Sequence, residues 1–178
     1  MMRLRVMLLL ACMLGLASTA GADTAVRVQT ALHEGEVRVS FQVTDAVSDA
    51  VRAAIQSGLP TTFAYDVVLQ QPSRWWFDRT LAYMRLSAVV RFDNLTRRYQ
   101  ITFIEDGRVE EVRTTDDERK AVEWLTNFHG RRLSSHRLEQ GGEYHVRVKA
   151  QTRPRMLGWA WPWTAGAALG SASFRFRP

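Results

Sequence analysis

The chain has 178 residues, 46% hydrophobic and 24% charged, with a formal net charge of +6 at pH 7 and one cysteine, Cys12. That length suffices for one hydrophobic core and one domain. Because Cys12 falls inside an N-terminal leader, the mature chain has no thiol, which excludes disulfides, iron–sulfur clusters, thiolate metal sites and a cysteine nucleophile.

The leader comes first in the chain. Arg3 and Arg5 form a positive start, Val6 to Leu16 is apolar, and "ASTAGAD" follows with small residues at Ala20 and Ala22. This order predicts a secretory signal peptide over residues 1–22, cut after Ala22 and followed by a periplasmic mature chain, 23–178. The apolar run is shorter than the roughly 20 residues of a spanning helix. A competing reading takes "LLAC", Leu9 to Cys12, as a lipobox that would make a lipoprotein, although a cut there leaves little apolar leader. Loss of Arg3 and Arg5 lowers the net charge from +6 to +4. Lys120 and Lys149 are the only lysines, so the remaining positive charge is arginine, whose planar fork suits phosphate and carboxylate. For an exported chain that charge favours anionic lipid or glycan, and no nucleic acid is expected.

Strand periodicity dominates the mature chain. "VRVQTA" (Val26–Ala31) and "EVRVSFQV" (Glu36–Val43) flank "HEG" and predict an opening hairpin, with Val37, Val39, Phe41 and Val43 on one face. Ser48 to Ser57 has helix spacing, with Val51, Ala54 and Ile55 inward and Gly58 then Pro60 as a stop. "TTFAYDVVL" and "AYMRLSAVVRF" read as long strands. "RRYQITFIEDGRVEEV" reads as a hairpin turning at Asp106-Gly107, where glycine accepts positive φ. In "TDDERKAVEWLTNFHG" the spacing predicts a helix with Thr115 and Glu118 as a capping box, a stripe of Ala121, Trp124, Leu125 and Phe128, and Gly130 closing the last turn. "EYHVRVKA" and "SASFRFRP" supply the final strands. The expected fold is mainly β (α+β): an antiparallel β-sandwich or meander with two short helices packed on it.

These landmarks form an ordered pattern. Arg74, Trp75, Trp76, Phe77 and Asp78 give a tryptophan-rich segment ending in phenylalanine and aspartate, and Leu95, Thr96, Arg97 and Tyr99 follow about one strand later. In this the chain resembles the exported bacterial proteins of the domain of unknown function 4390 family, across nearly all of its mature length. The likeness is loosest over "RPRMLGWAWPWTAGAALG". The resemblance implies export, a β-rich fold and no established activity. It also implies a membrane sensor kinase as partner.

Each motif has two readings. If "SRWWFDRT" is extended, Trp75 and Trp76 leave opposite faces, so one ring can join the core while the other stacks on a sugar or sits at a lipid headgroup, flanked by Arg74 and Arg79. In the structural reading the rings cap the sheets and Asp78 pairs with Arg97. The other reading makes Arg74, Trp75, Trp76, Asp78 and Arg97 ligand-binding. Trp159, Trp161 and Trp163 alternate around Pro162, either as a loop covering the open end of the sheets or as a membrane-interface patch.

Catalytic signals are weak. Asp66, Asp78 and Asp93 lack the spacing signature of a paired-carboxylate hydrolase. The four histidines form no zinc motif, and no serine sits in a nucleophile elbow. The sequence therefore predicts a non-catalytic envelope protein without cofactor or metal, acting through protein or ligand contacts. The alternatives are a lipid- or glycan-binding module using exposed tryptophans, and a glycan hydrolase using Asp78.

Overall fold

Strands that are apolar at every second residue need a second layer to cover that face, and the computed structural model shows two antiparallel sheets doing so. It describes residues 25–33, 36–73, 77–134, 138–139, 141–154 and 167–176. The predicted leader with Cys12, and His136, lie outside them. The order is β1 (Ala25–His33), β2 (Glu36–Thr44), α1 (Asp49–Gln56), β3 (Thr61–Gln71), β4 (Arg79–Asp93), β5 (Arg98–Glu105), β6 (Arg108–Thr115), α2 (Glu118–Thr126), β7 (Asn127–Ser134), β8 (Glu143–Pro154) and β9 (Ala168–Arg175). One sheet runs β1-β2-β7 and the other β6-β5-β4-β3-β8-β9. The fold is mainly β, as the alternation predicts.

Val37, Val39, Phe41 and Val43 of β2 and Phe63, Tyr65, Val67 and Leu69 of β3 are all buried in one core. At its centre the Phe41 and Phe128 rings stack at 4.9 Å, and Tyr65 lies 5.2 Å from the first and 4.9 Å from the second. Phe103 meets Phe128 edge-on at 6.4 Å. These rings come from four strands in both sheets, so the cluster ties the layers together. The Tyr65 hydroxyl is also satisfied, donating to the Leu125 carbonyl at 2.5 Å. Burial pushes its pKa far up, which keeps that donor protonated.

The first helix matches its sequence signals. Ser48 caps α1 by accepting from the Val51 N–H at 3.3 Å, Val51, Ala54 and Ile55 are buried, and Gly58 ends it at φ 83°. The Asp106-Gly107 hairpin also forms, both residues having positive φ.

The second helix departs from expectation at both ends. Its N-cap is Asp117, whose carboxylate accepts from the N–H groups of Arg119 at 2.8 Å and Lys120 at 3.4 Å. Thr115 stays on β6 and accepts from the Asp117 N–H, while Glu118 turns to Arg52, so the Thr115–Glu118 capping box does not form. The helix stops at Thr126 and passes directly into β7, a strand the periodicity does not reveal. Phe128 is buried from that strand rather than from a helical stripe. Gly130, at φ 58°, lies within the strand and donates its N–H to Ser40 Oγ at 2.9 Å. Opposite it the β2–β7 register slips between Val39 and Phe41, the mark of a bulge.

Gly170 of β9 lets the two sheets close along one side. A methyl group there would lie 2.6 Å from Val26 Cβ on β1, nearer than real carbons approach.

Phe128→Ala removes the ring shared by both sheets and is expected to cost about 3–5 kcal/mol of unfolding free energy, measured by urea denaturation.

Candidate functional site

β4 is 15 residues long, and the described motif residues Phe77 and Asp78 precede it while Leu95, Thr96 and Arg97 follow it at the opposite end. At the β3–β4 end a bulge between Leu69 and Gln70 shifts the register just before the connection. Phe77 stands 95% exposed there. Beside it Asp78 Oδ2 accepts from Arg147 Nη2 of β8 at 3.5 Å. Arg74, Trp75 and Trp76 lie outside the described residues, as do Trp159, Trp161 and Trp163. An open cleft of about 390 Å³ flanks this end, lined by Gln71, Pro72, Ser73, Gly141, Glu143 and Arg175.

The expected Asp78–Arg97 pair does not form. A strand of this length separates the two by more than about 40 Å, and Asp78 pairs with Arg147 instead. The sequence offers no sign of that partner, because β8 reaches β3 only through the fold.

Between the ends, the outer face of the six-stranded sheet carries a polar row. Asp66 accepts from the Tyr83 hydroxyl at 2.5 Å and from Arg85 Nε at 2.8 Å, and Lys149 pairs with it in register on β8. Partial burial pushes the Asp66 carboxyl up. The hydrogen bonds from Tyr83 and Arg85 and the charges of Arg85 and Lys149 outweigh that, holding it below the ordinary aspartate range.

At the other end, Asp93 Oδ1 accepts from the N–H groups of Leu95 at 2.8 Å and Thr96 at 3.1 Å, a side-chain-stabilised turn. Those same bonds, Thr96 first, hold the Asp93 carboxyl below its ordinary range. Leu95 is 95% exposed at the tip. Arg97 closes the turn at φ 57°, a left-handed conformation that costs an arginine about 1–2 kcal/mol. This turn forms one wall of a cleft of about 570 Å³ lined by Gln56, Phe92, Asn94, Arg97, Tyr99, Asp116 and Glu118. Gln56 comes from the end of α1, Asp116 from the link between β6 and α2, and Glu118 from the first turn of α2. Glu118 Oε1 accepts from Arg52 Nε at 2.7 Å. The Tyr99 hydroxyl is pushed up by burial and by the charge of Glu118. The apolar seam beneath, where both helices meet Val90, leaves only about 10 Å³ open.

Gln56, Asn94, Asp116 and Glu118 are not legible as a group in the sequence, where they read separately as helix end, turn and helix-start residues. Asp66, Asp78 and Asp93 lie apart, each with its own partners. Among the described residues no three His, Cys, Asp or Glu side chains cluster as metal ligands, and no helix is long and apolar enough to cross a membrane.

Residues 24–157 match the family model described as Domain of unknown function (DUF4390), a span that takes in both motifs and every strand from β1 to β8. No curated protein and no solved structure matches the chain.

Asp66→Asn is expected to lower the pH 7 melting temperature by about 1–3 °C. Because the folded carboxyl titrates low, its contribution is present above the unfolded-state pKa and is lost as pH falls through the folded value. The gap between variant and wild type therefore closes in acid, as melting curves from pH 7 down to about 3 would record.

Proposed function

The chain belongs to the domain of unknown function 4390 family, and on that premise we propose that it is a non-catalytic, exported protein of the bacterial cell envelope that works by contacting another protein, a membrane sensor kinase. The observation that carries this reading is Phe77. It contributes almost nothing to the core at 95% exposure, yet its neighbour Asp78 is fastened to β8 through Arg147. Large aromatic side chains held in solvent on an anchored segment are the usual anchors of protein interfaces, where burial against a partner recovers their apolar area. The basic and apolar order of residues 1–22 supports export through a cleaved leader, with a periplasmic mature chain.

A second reading makes this end a lipid- or glycan-binding module. It is favoured by Arg85, Arg147 and Lys149 on the outer face of the same sheet. A hydrolase built on Asp78 has less support, since the group facing its carboxylate is an arginine rather than a second carboxyl.

The test is a photoreactive phenylalanine analogue at position 77 in the native envelope, with position 109, also exposed, as control. The expected result is one membrane protein captured several-fold more strongly from 77 than from 109. Equal capture from both positions overturns the reading, and adducts confined to lipid or glycan select the second. Phe77→Ala is expected to change stability by less than about 0.5 kcal/mol while abolishing the capture seen with a crosslinker at a neighbouring residue.

A further inference from the structure

The cleft at the far end of β4 combines features that the contact surface around Phe77 does not use. It carries opposite charges on neighbouring elements: Arg97 on the β4–β5 turn and Asp116 at the approach to α2, one residue beyond Thr115, which pairs with Tyr99. Among the described residues neither forms an ion pair, whereas Glu118, on the same side as Asp116, is already engaged by Arg52. Asn94 and Gln56 add side-chain amides that can both donate and accept. Phe92 and Tyr99, with ring centres 4.6 Å apart, are largely buried and line the cleft only at their edges.

The chemistry of these groups narrows the ligand. A simple anion would meet Arg97 but be repelled by Asp116 and Glu118, and a simple cation would satisfy the acids and leave Arg97 opposed. A bulky apolar tail has nowhere to go, because the seam below is nearly closed at about 10 Å³. The open volume, about 570 Å³, lies within the usual range for small-ligand clefts.

Arg97 adds an independent observation. At φ 57° it occupies a conformation that glycine or asparagine accepts far more readily, and its exposed side chain contributes neither core packing nor an ion pair to the fold. Strain kept at such a position, with no structural return, points to a side chain held for an external contact. Gly58, at φ 83°, brings the end of α1 against the turn, where an added methyl group would sit 3.1 Å from Asn94 Nδ2. The amide wall is thereby set in place by the backbone.

We propose that this cleft binds a compact zwitterion, with the anionic group on the Arg97 guanidinium and the ammonium group at the Asp116 carboxylate. Free amino acids or dipeptides and phosphatidylethanolamine headgroups share that chemistry. Binding depends on the side chain of Arg97 and not on the turn that carries it.

The test titrates the mature protein with a panel of L-amino acids and dipeptides by calorimetry. A parallel arm measures retention on vesicles of phosphatidylethanolamine against phosphatidylcholine, whose quaternary ammonium cannot donate a hydrogen bond. The expected result is saturable binding in one arm, weakened at least about tenfold (1.4 kcal/mol) in Arg97→Gly, whose melting temperature equals or exceeds that of the wild type. Asp116→Asn weakens the same ligand while leaving folding unchanged. Binding of a dipeptide alone identifies a soluble ligand, and binding of phosphatidylethanolamine vesicles alone identifies a headgroup; either supports the site. No saturable binding in either arm, or binding unaltered in both variants, overturns it. A loss of melting temperature in Arg97→Gly would also overturn it, by showing that the arginine serves the fold.

Discussion

The hydrogen bond from the Tyr65 hydroxyl to the Leu125 carbonyl, made inside the core, is the constraint on which the rest of the molecule depends. Tyr65 belongs to the six-stranded sheet, Leu125 to the last turn of α2, and Phe128, one step into β7, stacks on Phe41 and meets Tyr65 at a tilt. A buried hydroxyl needs a partner, and a helix end leaves carbonyls without one. Each requirement here answers the other. The helix is consequently fixed at the point where the chain crosses from one sheet to the other, and its N-terminal residues are held where α1 and the β4–β5 turn converge.

That arrangement separates the two ends of the sandwich. β4 spans the molecule, and the turn at either end carries a residue the core does not need: Phe77 at one, Leu95 beside Arg97 at the other. The ends differ in chemistry. At one tip the exposed Phe77 stands beside Asp78, which is paired with Arg147. Around Arg97 the lining is polar, with charges of both signs and two side-chain amides. An exposed aromatic side chain suits a macromolecular contact, and a polar cleft suits a small ligand. The proposed partner contact at one end and the proposed ligand cleft at the other share no residue. The polar row of Asp66, Tyr83, Arg85 and Lys149 lies along the sheet between them.

Much of the fold is legible in the sequence because period-two alternation is a local signal. Val37 to Val43, Phe63 to Leu69, Met84 to Phe92 and Tyr144 to Ala150 each alternate in a way that picks out the buried face they occupy. Two local causes hide β7. It begins immediately after a helix, so Phe128 continues the Ala121 and Leu125 stripe in sequence while leaving it in space. A bulge at Gly130 then inserts a residue, so buried Phe128 and Leu133 are five apart and no alternation survives. The capping box fails for a related reason: Thr115 is still pairing with Tyr99 on β5, so it cannot also begin the helix. The candidate sites are less legible still. Asp78 meets an arginine about seventy positions away, and the Arg97 cleft draws its lining from two helices and a turn that only the fold brings together.

Structural and external roles divide along the same lines among the motif residues. Tyr99 packs against Phe92, pairs across to Thr115 and is almost wholly buried, so the framework accounts for it. Asp93 accepts two backbone donors and builds the turn. Asp78 anchors the opposite connection. Phe77, Leu95 and Arg97 receive no such explanation, since two expose large apolar side chains and the third holds a backbone conformation that a smaller residue would adopt at lower cost. Local rules agree with the global fold nearly everywhere in a well-folded sequence, and the exceptions gather where selection acts on something outside the chain. In this protein the two most exposed large apolar side chains, Phe77 and Leu95, lie at the two tips of one strand, while residues adjoining them are fixed by ordinary packing and hydrogen bonding. The framework is therefore defined around these tips and undemanding about their identity, which leaves Phe77, Leu95 and Arg97 free of the constraints that fix Tyr99 and Asp93.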